Sequence, residues 1–510
     1  MSQFIKDYNL FKLKYISSLI FLVTNLVFYT FAISHLDFFK SLFTLVVVLS
    51  MVNFLICFNS NSFFFEKFFT FYMWTGFVFF YYLHVIFFNQ EYTFNIGTFD
   101  FSNKIHLKEL YLVLVFLNLG ILISIFLSRK FFKINYILSY YKLNSFFEKK
   151  TNLLIYFIIF IVISVFLINY RFKLFDYYYF SQPRYNFFTD SFLKWFFLFG
   201  FTSLMCIFLN LKLIKKKLTK FYYIIYIQEF LFYISILSRG CIFNSLAIFF
   251  ASIAKNYVKY KYSLKFFAVT LFFLVFLFSV NFYILIDERK TNNLENMEKY
   301  RGFSNLLMHD YLENNFVNIK YVENQKKEIF LSQQNNEQKK ENFLQSFKKK
   351  ILRLILIVKN RIFGIDSLMA VVSYEKKGFD LLKLSIQENS NPGVSSFFDQ
   401  LRLQNDKEEL TNNVTLPSIV GFLYYSGSYL FILISIILIM LFCNLFEKLN
   451  IYFNNNIYLS AIIGQMLAYR LWHFGYAPIN SYKILLSLLC TILLCYALTN
   501  AMVKLNIIKK

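Results

Sequence analysis

The chain has 510 residues, of which 58% are hydrophobic and 16% are charged, and its mean hydropathy is +0.50. Repeated apolar runs of about 20 residues are long enough to cross a bilayer, so this composition excludes an ordinary soluble protein. The net charge of +24 does not indicate a nucleic-acid partner, because the basic excess lies mainly in short segments between the apolar runs, as orientation signals do. The sequence therefore predicts a polytopic, all-α integral membrane protein.

Successive apolar runs predict about twelve transmembrane helices. The first run resembles a signal peptide, but it is long for one and many more spans follow, so we expect an uncleaved first helix. The predicted helices are residues 15–34, 41–58, 68–88, 110–127, 152–170, 193–211, 221–237, 241–254, 264–286, 417–444, 455–471 and 482–501.

The charges of the connecting loops predict the orientation of these helices. With the N-terminus in the cytoplasm, every strongly basic short loop falls on the cytoplasmic side, as the positive-inside rule requires. These segments run from Arg129 to Lys150, from Lys212 to Lys220 and from Lys255 to Lys265, and Lys504 to Lys510 join them. Both termini are therefore expected in the cytoplasm.

The arginines and the lysines are distributed differently between the two sides of the predicted membrane protein. In this topology nine of the ten arginines lie outside, with Arg129 as the exception, whereas the lysines divide almost evenly. Arginine carries a planar, always-charged fork that grips phosphate and carboxylate through two bonds. The outer side is therefore predicted to hold an anion, the alternative being chance in a lysine-rich composition.

Three outer segments stand out: residues 171–192, the turn Ser238-Arg239-Gly240, and residues 287–416. The third is too long for a structureless loop and predicts a small extracytoplasmic domain between two membrane parts, 1–286 and 417–510. Within it, the apolar spacing of Phe347–Val358 behind three lysines is typical of a helix in the membrane interface.

Arg239 is the strongest single candidate for function. The turn between the seventh and eighth helices is so short that Arg239 must lie at the outer membrane surface, where Gly240 permits a close approach and a guanidinium suits a lipid-linked phosphate. The alternative is an arginine that snorkels to headgroups. Ten residues earlier, Glu229 is an ionisable group at mid-helix, which is costly unless functional. It either pairs with another helix or lines a substrate cavity.

Further outer residues could bind an anion collectively, although a single loop arginine is more often solvated. Neither the histidines nor the cysteines have metal-ligand spacing, and the sequence contains no Gly-rich nucleotide loop or Ser-His-Asp order, so no metal or cofactor is predicted. The further candidates are Arg184, Arg301, Arg353, Arg361, Arg402, Arg470 and His473.

Taken together, these segments resemble the O-antigen polymerases, the Wzy-type oligosaccharide repeat-unit polymerases. The likeness rests on Ser238-Arg239-Gly240 at the start of the eighth helix and on the large outer loop before the last three helices. Arg361 to Leu368 is similar to the family's Arg-x-x-Gly-x-Asp stretch, and Leu416 to Gly427 is similar to its start of the tenth helix. A looser Arg-x10-Gly spacing runs from Arg353 to Gly364. Helix count and loop order extend the likeness over nearly the whole chain.

The resemblance implies a metal-independent glycosyltransferase of the bacterial inner membrane. It would transfer a growing glycan from undecaprenyl diphosphate onto a second lipid-linked repeat unit, with membrane lipids and a chain-length regulator as further candidate partners. Cationic groups would stabilise the diphosphate leaving group, and a carboxylate would accept the acceptor's proton. The implied catalytic residues are Arg239, Glu229 and Asp366, and the implied substrate-binding residues are Arg184, Arg239, Arg301, Arg353, Arg361, Arg470 and His473.

Three alternatives remain at this stage. An O-antigen ligase shares the architecture but relies on a loop histidine, and only His309 is available there, in a context unlike the ligase pattern. A flippase or other transporter is expected to show two related halves, and no repeat is evident. A polyprenyl-phosphate-dependent glycosyltransferase tends to have paired acids in the first outer loop, where His35-Leu36-Asp37 offers one.

Overall fold

The computed structural model is that of a helical membrane protein, as the composition predicts. Six of its helices are long and apolar enough to cross a membrane: Lys40–Phe58, Lys104–Phe131, Thr151–Phe172, Ser191–Leu209, Tyr429–Asn454 and Ser481–Lys504. The structure describes residues 2–59, 62–87, 96–132, 141–172, 174–175, 187–211, 215–236, 241–260, 266–281, 284, 364–388, 398, 416–475, 478 and 481–509. The predicted interfacial helix at Phe347–Val358 lies outside these residues.

The described secondary structure consists of helices and one pair of two-residue strands. Two stretches are π-helical, each inserted between two α-helical stretches: Trp74–Phe79 and Phe196–Gly200. In chain order the helices are α1 Ser2–Ser34, α2 Lys40–Asn59, α3 Phe64–Met73, α4 Phe80–Phe87, α5 Lys104–Phe131, α6 Ser145–Lys149, α7 Thr151–Phe172, α8 Phe187–Trp195, α9 Phe201–Leu209, α10 Lys215–Ser235, α11 Cys241–Tyr260, α12 Phe266–Asn281, α13 Ile365–Ser373, α14 Phe379–Ile386, α15 Ser418–Tyr424, α16 Tyr429–Asn454, α17 Ile457–Trp472 and α18 Ser481–Lys504.

Three basic segments that the sequence assigns to one side of the membrane meet at one end of the bundle. Strand β1 (Lys142–Leu143) pairs antiparallel with β2 (Ile508–Lys509), and Tyr141 forms a bridge with Leu211. A short sheet thus connects the segment after α5, the end of α9 and the C-terminus. We call this the β-bridge end, defined by residues 141–144, 211 and 506–509.

The opposite end, the loop end, is defined by residues 96–104, 364–388 and 416–428. Here Lys377 forms an ion pair with Glu109 of α5 (Nζ to Oε2, 3.0 Å). The hydroxyl of Tyr424 donates to the same carboxylate oxygen at 3.0 Å. Burial raises the pKa of Tyr424, so its hydroxyl keeps the proton that it donates. Lys377 of the large loop and Tyr424, which follows the loop, therefore both bind Glu109 of the spanning helix α5.

The structure corrects the predicted tenth helix, 417–444. The apolar run is divided into the short helix α15 and the longer α16. The break occurs because Gly427 has a φ of +69°, a conformation that favours glycine, and because the Ser428 side chain caps α16 by accepting from the N–H of Phe431 at 3.3 Å. All seven residues of α15 are buried, so this helix packs inside the bundle rather than crossing a bilayer.

Helix α13 is also buried, although the sequence assigns it to an extracytoplasmic domain. Asp366 is its only residue that is not fully buried. Its N-cap, Gly364, lies against Gly76: a β-carbon on Gly364 would be 2.8 Å from the Gly76 carbonyl oxygen. Gly76 belongs to the first π-helical stretch and is followed by 11 more residues of helix up to Phe87, roughly 17 Å of helix length. The described part of the large loop thus re-enters the bundle.

The centre of the bundle is formed by α3, α5, α11, α16 and α17. Helix α16 packs along α5, and α17 packs between α3 and α11. Gly464 marks the closest approach, because a β-carbon there would be 2.5 Å from the backbone nitrogen of Phe65. Of these central helices, α17 carries the predicted site residues Arg470 and His473, at its C-terminal end.

Candidate functional site

Glu229 lies in α10 at the centre of a buried polar cluster. Its side chain has 0% exposure. One carboxylate oxygen accepts from the Thr202 hydroxyl and from the Gln228 amide, the latter at 3.4 Å, and the other accepts from the Asn244 amide at 3.1 Å. Of the two roles left open by the sequence, this arrangement fits a partner for other helices. The side chain has no exposed surface and is bound by residues of α9, α10 and α11.

Asn244 connects this cluster to the start of α11. Its amide donates both to Glu229 and, at 2.8 Å, to the backbone carbonyl of Leu198. The Tyr233 hydroxyl donates to the same carbonyl at 2.9 Å. Leu198 lies in the second π-helical stretch, where the normal helical hydrogen-bond pattern is shifted and a carbonyl becomes available to side chains. Asn244 is five residues after Arg239, so the cluster fixes the helix that follows the Ser238-Arg239-Gly240 turn.

Arg470 and His473 lie at the loop-end terminus of α17. The Arg470 guanidinium donates to the Ser481 hydroxyl at 3.2 Å and lies 6.0 Å from the centre of the Phe474 ring. The Nδ1 atom of His473 is 3.2 Å from the backbone carbonyl oxygen of Tyr469. Both side chains are half-buried, so a cation and an imidazole stand at the rim of the bundle.

An aromatic cluster joins this rim to α11. The Tyr469 ring is 4.6 Å from the ring of Phe243 in α11 and 4.2 Å from the ring of His473. Tyr72 of α3 stacks on Trp472 at 4.7 Å. Phe243 is next to Asn244 in the chain, so the Glu229 cluster and the Arg470 rim lie on the two sides of one helix pair, α11 and α17.

Asp366 is connected to the same rim through apolar packing. It occupies the first turn of α13, where a carboxylate is favourable because of the exposed helix N–H groups. Val371 of this helix lies near Gly421 of α15, and Phe422 of α15 packs edge-to-face on Phe474 at 4.9 Å. The helices of Asp366 and Arg470 are therefore connected through α15, whereas Glu229 lies enclosed behind α11.

Five of the nine predicted site residues lie outside the described part of the chain. For these residues the anion-binding role stays a prediction from the sequence. They are Arg184, Arg239, Arg301, Arg353 and Arg361.

Sequence reasoning missed the partners of Glu229 and the ion pair at the loop end. Thr202 and Asn244 are uncharged polar residues in largely apolar helices, a weak signal without a known neighbour. Lys377 and Glu109 are far apart in the chain and are joined only by the fold. The π-helical stretch that exposes the Leu198 carbonyl has no signal in hydrophobic periodicity, because the residues of Phe196–Gly200 are all apolar and show no alternation that an extra residue could shift.

We expect Glu229→Gln to fold with normal yield but to lower the activity of the protein about tenfold. The amide keeps one acceptor and replaces the other with a donor, so Asn244 or Thr202 loses a hydrogen bond that fixes α11; a loss of roughly 1.4 kcal/mol corresponds to a factor of ten. The protein level in the membrane measures the first effect, and the surface-glycan assay that the resemblance to O-antigen polymerases implies measures the second. Glu375→Gln, at an exposed acid of the loop end, serves as the control. Unchanged activity in Glu229→Gln would mean that this acid has no part in function.

Comparisons with known proteins give no relative from which a function could be transferred: no protein-family model matches the chain, and searches of curated proteins and of solved structures found no match either.

Proposed function

We propose that this protein polymerises lipid-linked oligosaccharide repeat units at the outer face of the bacterial inner membrane. It would transfer a growing glycan from undecaprenyl diphosphate onto an acceptor repeat unit, as the resemblance to O-antigen polymerases implies. We further propose twelve spans with both termini in the cytoplasm. In this orientation the β-bridge end faces the cytoplasm and the loop end faces outward, in agreement with the meeting of the basic segments at the β-bridge end.

One observation carries the proposal most directly. Helix α11, which follows the Ser238-Arg239-Gly240 turn, packs on the loop-end half of α17, where Phe243 and Tyr469 are 4.6 Å apart. Phe243 is four residues after Arg239, and Tyr469 is next to Arg470. Helix α11, which begins just after Arg239, is therefore adjacent to Arg470 and His473. The guanidinium of Arg470 and the imidazole of His473, with Arg239 predicted to lie near them, suit a diphosphate at headgroup depth.

The proposed reaction needs a cation site and a base. The acceptor hydroxyl attacks the anomeric carbon of the donor glycan, the bond from that carbon to the diphosphate oxygen breaks, and the electron pair leaves with undecaprenyl diphosphate. Arginine forks stabilise the charge that develops on the leaving group. The hydroxyl proton passes to a carboxylate. We assign this role to Asp366, which is partly exposed at the start of the re-entrant helix α13, and assign Glu229, which is enclosed, to positioning α11.

The test is a surface-glycan ladder from cells that lack the gene. We expect the ladder to collapse to one repeat unit and to be restored by the wild-type gene but not by Arg239→Ala. Loss of all glycan from the lipid core would instead identify a ligase or a flippase. An unchanged ladder would refute a role in glycan assembly altogether.

A further inference from the structure

Glu66 is a second buried acid, far from the proposed site. It lies in the first turn of α3 with 0% exposure. Its Oε1 atom accepts from the Ser128 hydroxyl of α5 and, at 2.8 Å, from the Asn444 amide of α16. Three central helices thus meet at one carboxyl oxygen.

The remaining oxygen atoms of the Glu66 carboxyl and of the Asn444 amide accept no hydrogen bond from the described residues. Among the described residues, neither Oε2 of Glu66 nor Oδ1 of Asn444 has a hydrogen-bond partner, and both atoms are buried. If Glu66 were ionised, two acceptor oxygens on touching groups would remain without a donor, one of them charged. Burying such a charge unpaired is far more costly than burying a neutral, hydrogen-bonded group.

We propose that Glu66 carries a proton on Oε2 and donates it to Oδ1 of Asn444. Both groups are planar and are already joined through Asn444 Nδ2 and Glu66 Oε1, so one proton closes a ring of two hydrogen bonds. The ring satisfies both remaining oxygens at once. It makes the junction of α3, α5 and α16 electrically neutral, and it is independent of the proposed glycan chemistry.

The charged neighbours are compatible with a neutral Glu66. Arg129 of α5 donates from Nη2 to the Ile56 carbonyl at 3.2 Å and to the Ser62 hydroxyl at 3.4 Å. Glu447 of α16 binds the first turn of α3, because its two oxygens accept from the N–H groups of Phe64 and Phe65 at 2.9 and 3.0 Å. The remaining titratable neighbours are Cys57 of α2 and Lys67 of α3. Arg129 and the nearby Phe63 N–H favour an ionised Glu66, and the burial of its side chain opposes that form more strongly.

The proton makes this junction sensitive to pH in one direction. The folded protein holds a proton that a glutamate in the unfolded chain releases above its usual pKa of about 4.3. Raising the pH therefore favours the unfolded state. The stabilising contribution is complete in acid and is lost as the pH rises.

The test compares Glu66→Gln with Glu447→Gln in the purified full-length protein in lipid nanodiscs. A glutamine at 66 can form the same ring without a proton, so we expect its melting temperature at pH 7 to equal or exceed that of the wild type and to vary less than the wild type's between pH 6 and 9. Glu447→Gln replaces one acceptor of two backbone N–H groups with a donor, and its melting temperature should fall by several degrees. The infrared difference between wild type and Glu66→Gln should contain the carbonyl band of a protonated carboxyl, shifted in D2O.

Either of two results would overturn the proposal. A Glu66→Gln variant that melts as low as Glu447→Gln, or that fails to fold, would mean that the charge of Glu66 is required. Absence of the protonated carboxyl band from the difference spectrum would show that Glu66 is ionised in the folded protein.

Discussion

Arg239→Lys is expected to lower polymer formation at least a hundredfold while leaving the amount of membrane-inserted protein unchanged. Lysine preserves the positive charge, so it preserves headgroup snorkelling and orientation. It removes the planar fork, which holds a diphosphate through two parallel bonds and stabilises the leaving group as charge develops. Loss of one such donor typically costs a factor of 100 to 1,000 in rate. The measurement is the length distribution of surface glycan, together with the protein level in the membrane.

Arg171→Lys is the matched control for this prediction. Arg171 ends α7, is exposed, and lies on the same predicted outer side. We expect normal glycan from this variant, because a solvated arginine and a lysine are equivalent there. Normal chain length in Arg239→Lys as well would remove the reason for assigning Arg239 to the diphosphate.

Gly364→Ala is expected to destabilise the protein by about 2 kcal/mol or more and to abolish activity. Gly364 has a φ of +156°, and a β-carbon there would be 2.8 Å from the carbonyl oxygen of Gly76. Neither the backbone of Gly364 nor that of Gly76 can give way without moving α13, which carries Asp366. The free energy of unfolding in detergent and the glycan ladder measure the two effects.

Gly378→Ala is the control for Gly364→Ala. Gly378 is also the N-cap of a short loop-end helix, α14, but its φ of 171° is ordinary extended backbone, and a β-carbon would contact nothing within 4 Å. Its N–H donates to the Tyr425 carbonyl at 2.8 Å, a bond that alanine retains. Equal stability of the two variants would mean that the contact of Gly364 with Gly76 does not hold the re-entrant segment.

Hydropathy predicts the long helices of this protein well. Residues 110–127, 152–170 and 482–501 fall within α5, α7 and α18, because a helix that must satisfy its own backbone in lipid needs a continuous apolar run. The same criterion failed at 417–444. A helix buried in protein and a helix exposed to lipid have equally apolar sequences, so hydropathy could not distinguish α15 from the start of α16.

The candidate site was predictable only in part. Glu229, Arg470 and His473 could be singled out because polar groups near or within apolar helices are unusual. Their surroundings could not, since they depend on which helices pack together. The enclosure of Glu229 by Thr202 and Asn244 follows from the packing of α9, α10 and α11. The fork of Arg239 and the four other loop arginines remain predictions from the sequence.

Each π-helical stretch absorbs one extra residue without turning the helix that follows it. A π turn contains one residue more than the α turn that it replaces, so the residues after it keep their orientation. Deleting one residue within Trp74–Phe79 would therefore convert the π turn to an α turn and leave Tyr81 facing Tyr111 of α5, with which it shares a hydrogen bond. Deleting one residue within the regular helix α3 would instead rotate the residues on either side of the deletion by about 100° relative to each other. A change of chain length is therefore tolerated better in the π-helical stretch than in α3.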